Sequence, residues 1–264
     1  MKRQNPSPMM PLLAIEPLGL DLRSAAQAAK SLAYGGLAVG IRHPELNPKI
    51  FGRTAQRHFR QILAAQRLVL GALRVGAGPA GAFDPATSQK LLDDALAACE
   101  LAHSLQIPLI SVYIGEPLDT QNITNDIADI FRTLAVQADR TGVVAALSCG
   151  QTQWLRKLLL SIDTPCLAAN LDSVRIVSAG GSPPDAAEAL AGCIALWTCA
   201  DAVRSGSAIE ITPLGSGRAD GSRVARILKD QDFTGPVVVD VRDLPQPLHA
   251  AEHSRTQLKQ WILT

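Results

Sequence analysis

An α/β fold of the (β/α)8 type, forming one domain, is what this sequence predicts, and three observations carry the prediction. Eight short apolar runs recur along the 264 residues, longer helical patterns separate them, and no Gly/Ser-rich or charge-rich linker divides the chain. A single barrel of this kind takes about 250 residues.

The runs are Leu12–Ile15, Gly36–Ile41, Val69–Val75, Leu109–Ile114, Val143–Leu147, Cys166–Asn170, Ile194–Cys199 and Pro236–Val241. Each is nearly continuous in apolar character, the pattern of a strand covered by helices on both faces. Between them, Leu92, Ala95, Leu96 and Cys99 recur at helical spacing, as do Ile127, Ile130, Phe131 and Leu134. Asp84-Pro85 and Ser182-Pro183 fit an N-cap followed by a first helical proline, and Gly35 and Gly142 fit left-handed helix exits. Strands that alternate with eight helices pair in parallel. An open doubly wound sheet has the same local pattern, so the count of eight is what favours closure. The domain is expected to span residues 1–264, with residues 1–10 a disordered tail.

Composition narrows the function. Hydrophobic residues make up 47% and charged residues 19%, enough for a large core. Only 4% are aromatic and the net charge is +1, which argues against a nucleic-acid partner, since such a surface needs a basic track and exposed rings. Cys99, Cys149, Cys166, Cys193 and Cys199 form no CxxC pair and read as small apolar residues kept reduced. Glu16, Pro11 and Pro17 interrupt the apolar stretch Met9 to Leu20, so neither a signal peptide nor a membrane span is expected. A soluble, cytoplasmic protein with a small-molecule ligand is the resulting expectation; the oligomeric state stays open.

In a parallel barrel, chemistry sits at the carboxyl ends of the strands. That singles out Glu16, His43, Glu116, Ser148, Asp172, Thr198, Asp201 and Asp240. Gly76-Ala77-Gly78-Pro79-Ala80-Gly81 has dinucleotide-binding spacing, but the next helix starts near Asp84 and Pro79 offers no amide hydrogen, so a flexible loop is the better reading. No G-x-S-x-G elbow, H-E-x-x-H or P-loop is present. His58, His103, His249 and His253 fall in outer-ring helices and read as surface or packing residues. His43, following the second strand directly, fits either an acid/base at the mouth or a solvated loop residue. Gly215-Ser216-Gly217 with Arg218 fits either an anion cradle or a simple turn, and the turn is favoured.

The C-terminal half carries a resemblance. Asn170-Leu171-Asp172 resembles the N-L-D-x-x-H segment of xylose-isomerase-like TIM barrels, the sugar phosphate isomerase/epimerase superfamily. Ile194 to Asp201 is similar to their strand-seven segment H-V-H-x-K-D. Residues Pro213 to Asp220 are similar to their P-L-G-x-G-x-x-D element, and Gly235 to Asp240 to their closing G-x-x-x-x-E strand. The segments LAAQRLVLGALRVG and CELAHSLQIPLISVYIG stand at family-like positions in the N-terminal half.

The resemblance implies a TIM barrel holding one divalent ion with Glu, Asp, His and Glu from strands five to eight. Carried onto this chain, those positions fall on Ser148, Asp172, Thr198 and Asp240, and the His of N-L-D-x-x-H falls on Arg175. Two carboxylates and two hydroxyls make a poor site for manganese or zinc, so no cofactor is expected beyond a weakly held divalent metal. Arg175 would pair with Asp172 and stand in for the ion. The zinc-dependent apurinic endonucleases share the barrel but need several mouth histidines, and only His43 qualifies.

Three readings follow. The first is a divergent sugar isomerase or epimerase for a small polyhydroxylated or keto-sugar substrate, with its metal site largely lost. Asp172 or Asp240 would be the base, and His43, Ser148, Arg175, Thr198 and Asp201 would contact substrate. The second is a non-catalytic barrel that binds a small molecule or partner in the same pocket. The third is a hydrolase or lyase using His43 with a mouth carboxylate.

Overall fold

The computed structural model describes residues 9–47, 50–76, 78–206 and 208–263. Its strands and helices alternate from β1 (Pro11–Ala14) and α1 (Leu22–Ser31) through β2 (Gly36–Gly40), α2 (Arg53–Ala65), β3 (Val69–Val75), α3 (Pro85–Leu105), β4 (Leu109–Tyr113), α4 (Asn125–Thr141), β5 (Val144–Ser148), α5 (Thr152–Ile162) and β6 (Leu167–Asp172). Two short helices, α6 (Ser173–Ser178) and α7 (Pro183–Ala189), lead to β7 (Ile194–Cys199). A hairpin of β8 (Asp201–Ser205) and β9 (Ala208–Thr212), then α8 (Gly221–Asp230), β10 (Val237–Val239) and α9 (Pro247–Leu263), complete the chain.

Eight strands, β1 to β7 and β10, pair in parallel and close in the order β1-β10-β7-β6-β5-β4-β3-β2, a single-domain (β/α)8 barrel. The hairpin β8-β9 is antiparallel and lies outside that sheet. Strand bounds fall within one or two residues of those expected. The described residues hold nine α-helices rather than eight, because the β6–β7 crossover is split in two.

The expected caps form where a side chain can serve them. Asp84 accepts the amide of Ala86 and Ser182 that of Asp185, each followed by proline at the first helical position. Gly142 closes α4 in the left-handed conformation, at φ 66°. At the exit of α1, however, the left-handed residue is Ala33 (φ 59°), not Gly35. Gly35 lacks a side chain for another reason: a Cβ there would stand 2.8 Å from Met10 Cγ. The buried stripes of α3 and α4 run through Leu91, Ala95, Ala98 and Cys99 and through Ala128, Phe131 and Leu134, so Leu92, Leu96, Ile127 and Ile130 lie at their edges.

Of the expected tail, residues 1–8 lie outside the described residues. Met9 is buried and the Met10 carbonyl accepts the amide of Val237, so these two belong to the barrel.

Period-two alternation sets up the site. Leu12, Ala14, Ala38, Ala72, Leu109, Ala146, Leu196 and Val238 pack into one buried cluster in the lumen. Two residues further along the same strands the inward positions are Glu16, Gly40, Arg74, Ser111, Ser148, Thr198 and Asp240, and all of them line one cavity. An apolar plug thus floors a polar mouth.

Candidate active site

The mouth cavity has a volume of about 370 Å³, at the small end for ligand sites. Ser148, Asp172, Arg175, Thr198 and Asp240 all line it. His43 and Asp201, also expected there, do not. His43 instead caps the short 3-10 turn Pro44–Leu46: its Nδ1 accepts the Glu45 amide (3.3 Å) and its Nε2 lies 3.2 Å from the Leu20 carbonyl oxygen. The tautomer that carries its hydrogen on Nε2 satisfies both contacts.

Asp201 is turned away into the following loop. Its Oδ1 accepts the amides of Ala202 and Ala219, both at 2.9 Å, and its Oδ2 those of Gly215 (3.0 Å) and Gly217 (2.9 Å). The Gly215–Gly217 segment is therefore an anion cradle after all, but the anion is the chain's own carboxylate. Glycine is required at 217, where a Cβ would stand 2.2 Å from Asp201 Oδ1.

Asp240 is the centre of charge. Arg74 Nη2 donates to its Oδ2, Arg242 reaches the same oxygen with Nε (3.0 Å) and Nη2 (2.5 Å), and the Arg242 amide donates to Oδ1 (3.1 Å). Burial alone would raise this carboxyl, but the two guanidiniums outweigh it and hold it well below the usual carboxylate range. Arg74 Nη1 also donates to Glu16 Oε2 (2.9 Å), and the other Glu16 oxygen accepts the Gly40 amide.

Asp172 ends β6 and caps α6, its Oδ1 accepting the Arg175 amide at 3.2 Å while Oδ2 lies 4.0 Å from Arg242 Nη2. The cation beside Asp172 is therefore Arg242, not the expected Arg175 guanidinium. That group lies 3.8 Å above the Tyr113 ring, a cation–π contact. The Tyr113 hydroxyl donates to Glu116 (3.3 Å), whose carboxylate also accepts the Gly150 amide. Burial raises Glu116 above its ordinary value, only partly offset by that amide. Burial likewise pushes the Tyr113 phenol up to about 12.

On the cavity wall, the Thr198 hydroxyl donates to Asn170 Oδ1 (3.0 Å) and Asn170 Nδ2 donates to Ser111 Oγ (2.9 Å). Ser148 Oγ, though buried, has no hydrogen-bond partner among the described residues. No group of three or more His, Cys, Asp or Glu side chains among the described residues is arranged to hold a metal ion.

Arg74 and Arg242 escaped the sequence reading. Arg74 carried a usable signal: it is the lone charge inside an apolar strand, two residues beyond lumen-facing Ala72. For the other expectations, the five cysteines are free thiols, and no helix among the described residues is long and apolar enough to cross a membrane. His103 and His253 contact backbone carbonyl oxygens of Thr141 and Leu214, as packing residues do.

Comparison with known proteins adds a family. A family model described as xylose isomerase-like TIM barrel matches residues 26–261. Among solved structures, a xylose isomerase domain protein from Planctomyces limnophilus superposes with a TM-score of 0.81 at 16% identity, covering 98% of each chain. A xylose isomerase-like TIM barrel protein from Mycobacterium smegmatis, in complex with magnesium, gives 0.74 at 14% identity, covering 97% of this chain and 96% of its own. A D-psicose 3-epimerase from Clostridium cellulolyticum H10, with D-tagatose, gives 0.73 at 14% identity, covering 97% and 99%. Identities this low establish shared fold. No curated protein matches the sequence.

Proposed function

The chain belongs to the xylose isomerase-like TIM barrel family, and from that premise we propose that it is a divergent sugar isomerase/epimerase-like protein. Its mouth cavity takes a small polyhydroxylated or keto-sugar ligand, and guanidinium groups do there what a divalent cation does in related barrels. The clamp on Asp240 carries this reading: Arg74 and Arg242 both hold it, and Arg242 also approaches Asp172.

The residues present do not fit the ion that the family resemblance implies. A cation entering between Asp172 and Asp240 would meet Arg242 at like charge. Thr198 is committed as a donor to Asn170, and Ser148 brings only a neutral oxygen. Magnesium and manganese ask for more anionic oxygen than that.

A proton shift along a hydroxy-carbonyl substrate needs positive charge at the substrate oxygens and a base at the carbon. Arg74 and Arg242 supply fixed positive charge held in place by Asp240. Asp240 itself, ionised well below the usual range, is a weak proton acceptor. We assign the transfer to Asp172: it takes the proton from the hydroxyl-bearing carbon beside the carbonyl and returns it to the carbonyl carbon, while that hydroxyl's proton passes to the carbonyl oxygen. The substrate is rearranged without net oxidation. The epimerase among the structural neighbours supports this substrate class by analogy of fold alone.

One observation favours binding without catalysis: each carboxylate lining the cavity already has a guanidinium within 4.0 Å. Incubating the protein in D2O with EDTA and a panel of ketoses and aldoses separates the readings. Catalysis predicts exchange of the hydrogen beside the carbonyl, lost by about 10²-fold or more in Asp172→Asn. Ligands that raise the melting temperature without exchange point to binding alone, and the absence of both contradicts the proposal.

A further inference from the structure

Four arginines line the cavity, and three of them are in ion pairs. Arg42 holds Asp94 at 2.7 Å, Arg74 is shared by Glu16 and Asp240, and Arg242 by Asp240 and Asp172. Arg175 makes no ion pair within 4 Å among the described residues. Its Nε is buried without a hydrogen-bond partner, and the same holds for Ser148 Oγ on the same cavity. Folded proteins leave few buried polar atoms unsatisfied, and two in one cavity mark places where ligand atoms belong.

The pairing of the charges points the same way. The lining residues carry four guanidiniums and three carboxylates (Glu16, Asp172 and Asp240), and Arg42 is balanced by Asp94. With that pair set aside, three guanidiniums meet three carboxylates, and Arg175 is the lining guanidinium that stands within 4 Å of none of them. The Tyr113 ring lies against this guanidinium, and the Tyr113 hydroxyl is tied to Glu116, so the fork is held in place before any ligand arrives.

We propose that the ligand of this cavity is an acid: a small hydroxylated or keto carboxylate whose carboxylate docks on Arg175, with Ser148 Oγ donating to the same end of the molecule. A planar fork matches a carboxylate in charge and shape. A phosphate dianion would bring a second negative charge beside three carboxylates. The inference rests on the mouth cavity being the ligand site, as proposed above, and narrows its substrate class from neutral sugars to sugar acids.

Calorimetry and thermal melts of the full chain test it with five probes: D-gluconate and D-glucuronate, their neutral counterparts D-glucose and D-fructose, and D-fructose 6-phosphate. The acids are expected to bind at least about tenfold more tightly than the neutral sugars, as a charge-assisted hydrogen bond provides, and to weaken with salt. Arg175→Gln abolishes the preference for acids over neutral sugars. Ser148→Ala, which removes one oxygen, weakens the acids more than the neutral sugars and reads the same subsite should the arginine variant fail to fold. Equal binding of acids and neutral sugars, or a preference that survives Arg175→Gln, overturns this inference and leaves the proposed function standing. Tighter binding of the phosphate ester overturns the carboxylate assignment. No response to any of the five overturns both.

Discussion

Asp201 and Asp240 are buried to nearly the same degree, 2% and 3% exposed, and the chain neutralises them in opposite ways. Asp201 takes four backbone amides, each supplied by its own neighbour or by the loop from Gly215 to Ala219. Asp240 takes two guanidiniums whose side chains are 21% and 25% exposed and border the cavity. Amides fix a loop and are used up in doing so. Guanidiniums at a cavity wall keep donors that a ligand can reach. Two equally buried acids thus mark a clasp and a site.

That contrast can be broken most forcefully at the clasp. Asp201→Ala strips the acceptor from four amides and is expected to cost about 3–4 kcal/mol in urea unfolding, with no recovery in formate because the loop collapses. Asp240→Ala leaves Arg74 and Arg242 facing each other and is expected to cost about 3 kcal/mol. Formate, small enough to enter the cavity, should restore part of that loss. Equal rescue of both variants, or of neither, would erase the distinction.

Acid titration sharpens it further. Because Asp240 is held below its ordinary value, its contribution to stability is complete above about pH 4 and is lost as the pH falls toward the folded value. Asp240→Asn should therefore show a flatter fall in melting temperature below that pH than the unaltered protein. Glu116 has the opposite sign: its raised folded value means stability is complete below its ordinary value and declines as the pH rises through the folded one. Glu116→Gln should flatten that decline. The smallest effect belongs to Gly40→Ala, whose Cβ would stand 2.7 Å from Glu16 Oε1. Displacing Glu16 from Arg74 is expected to cost about 1 kcal/mol by thermal melt.

The strands were legible because burial on both faces makes them continuous apolar runs, and the eightfold count is what closed the barrel. The β8–β9 hairpin was not: it lies outside the barrel, is half exposed, and reads as a loop beside runs such as Ile194–Cys199. At the site, Ser148, Asp172, Thr198 and Asp240 were found because they stand at strand ends. Arg74 lies inside β3, so a search of strand ends and following loops passes over it, although its place two residues beyond lumen-facing Ala72 points to it. Arg242 is hidden for a different reason, since only the fold of its side chain back onto Asp240 gives it a role. His43 and Asp201 stood in the right part of the chain, but local turns claimed their polar atoms first.

Melting the chelator-treated protein against magnesium, manganese, cobalt and zinc, beside an Arg74→Met, Arg242→Met variant, tests directly whether Arg74 and Arg242 stand where a divalent ion would otherwise bind. No saturable stabilisation is predicted for the unaltered chain, and a weak metal-dependent rise for the variant, whose Asp172 and Asp240 are released while Ser148 and Thr198 stay neutral. A saturable rise in the unaltered protein that disappears in Asp240→Ala would contradict it.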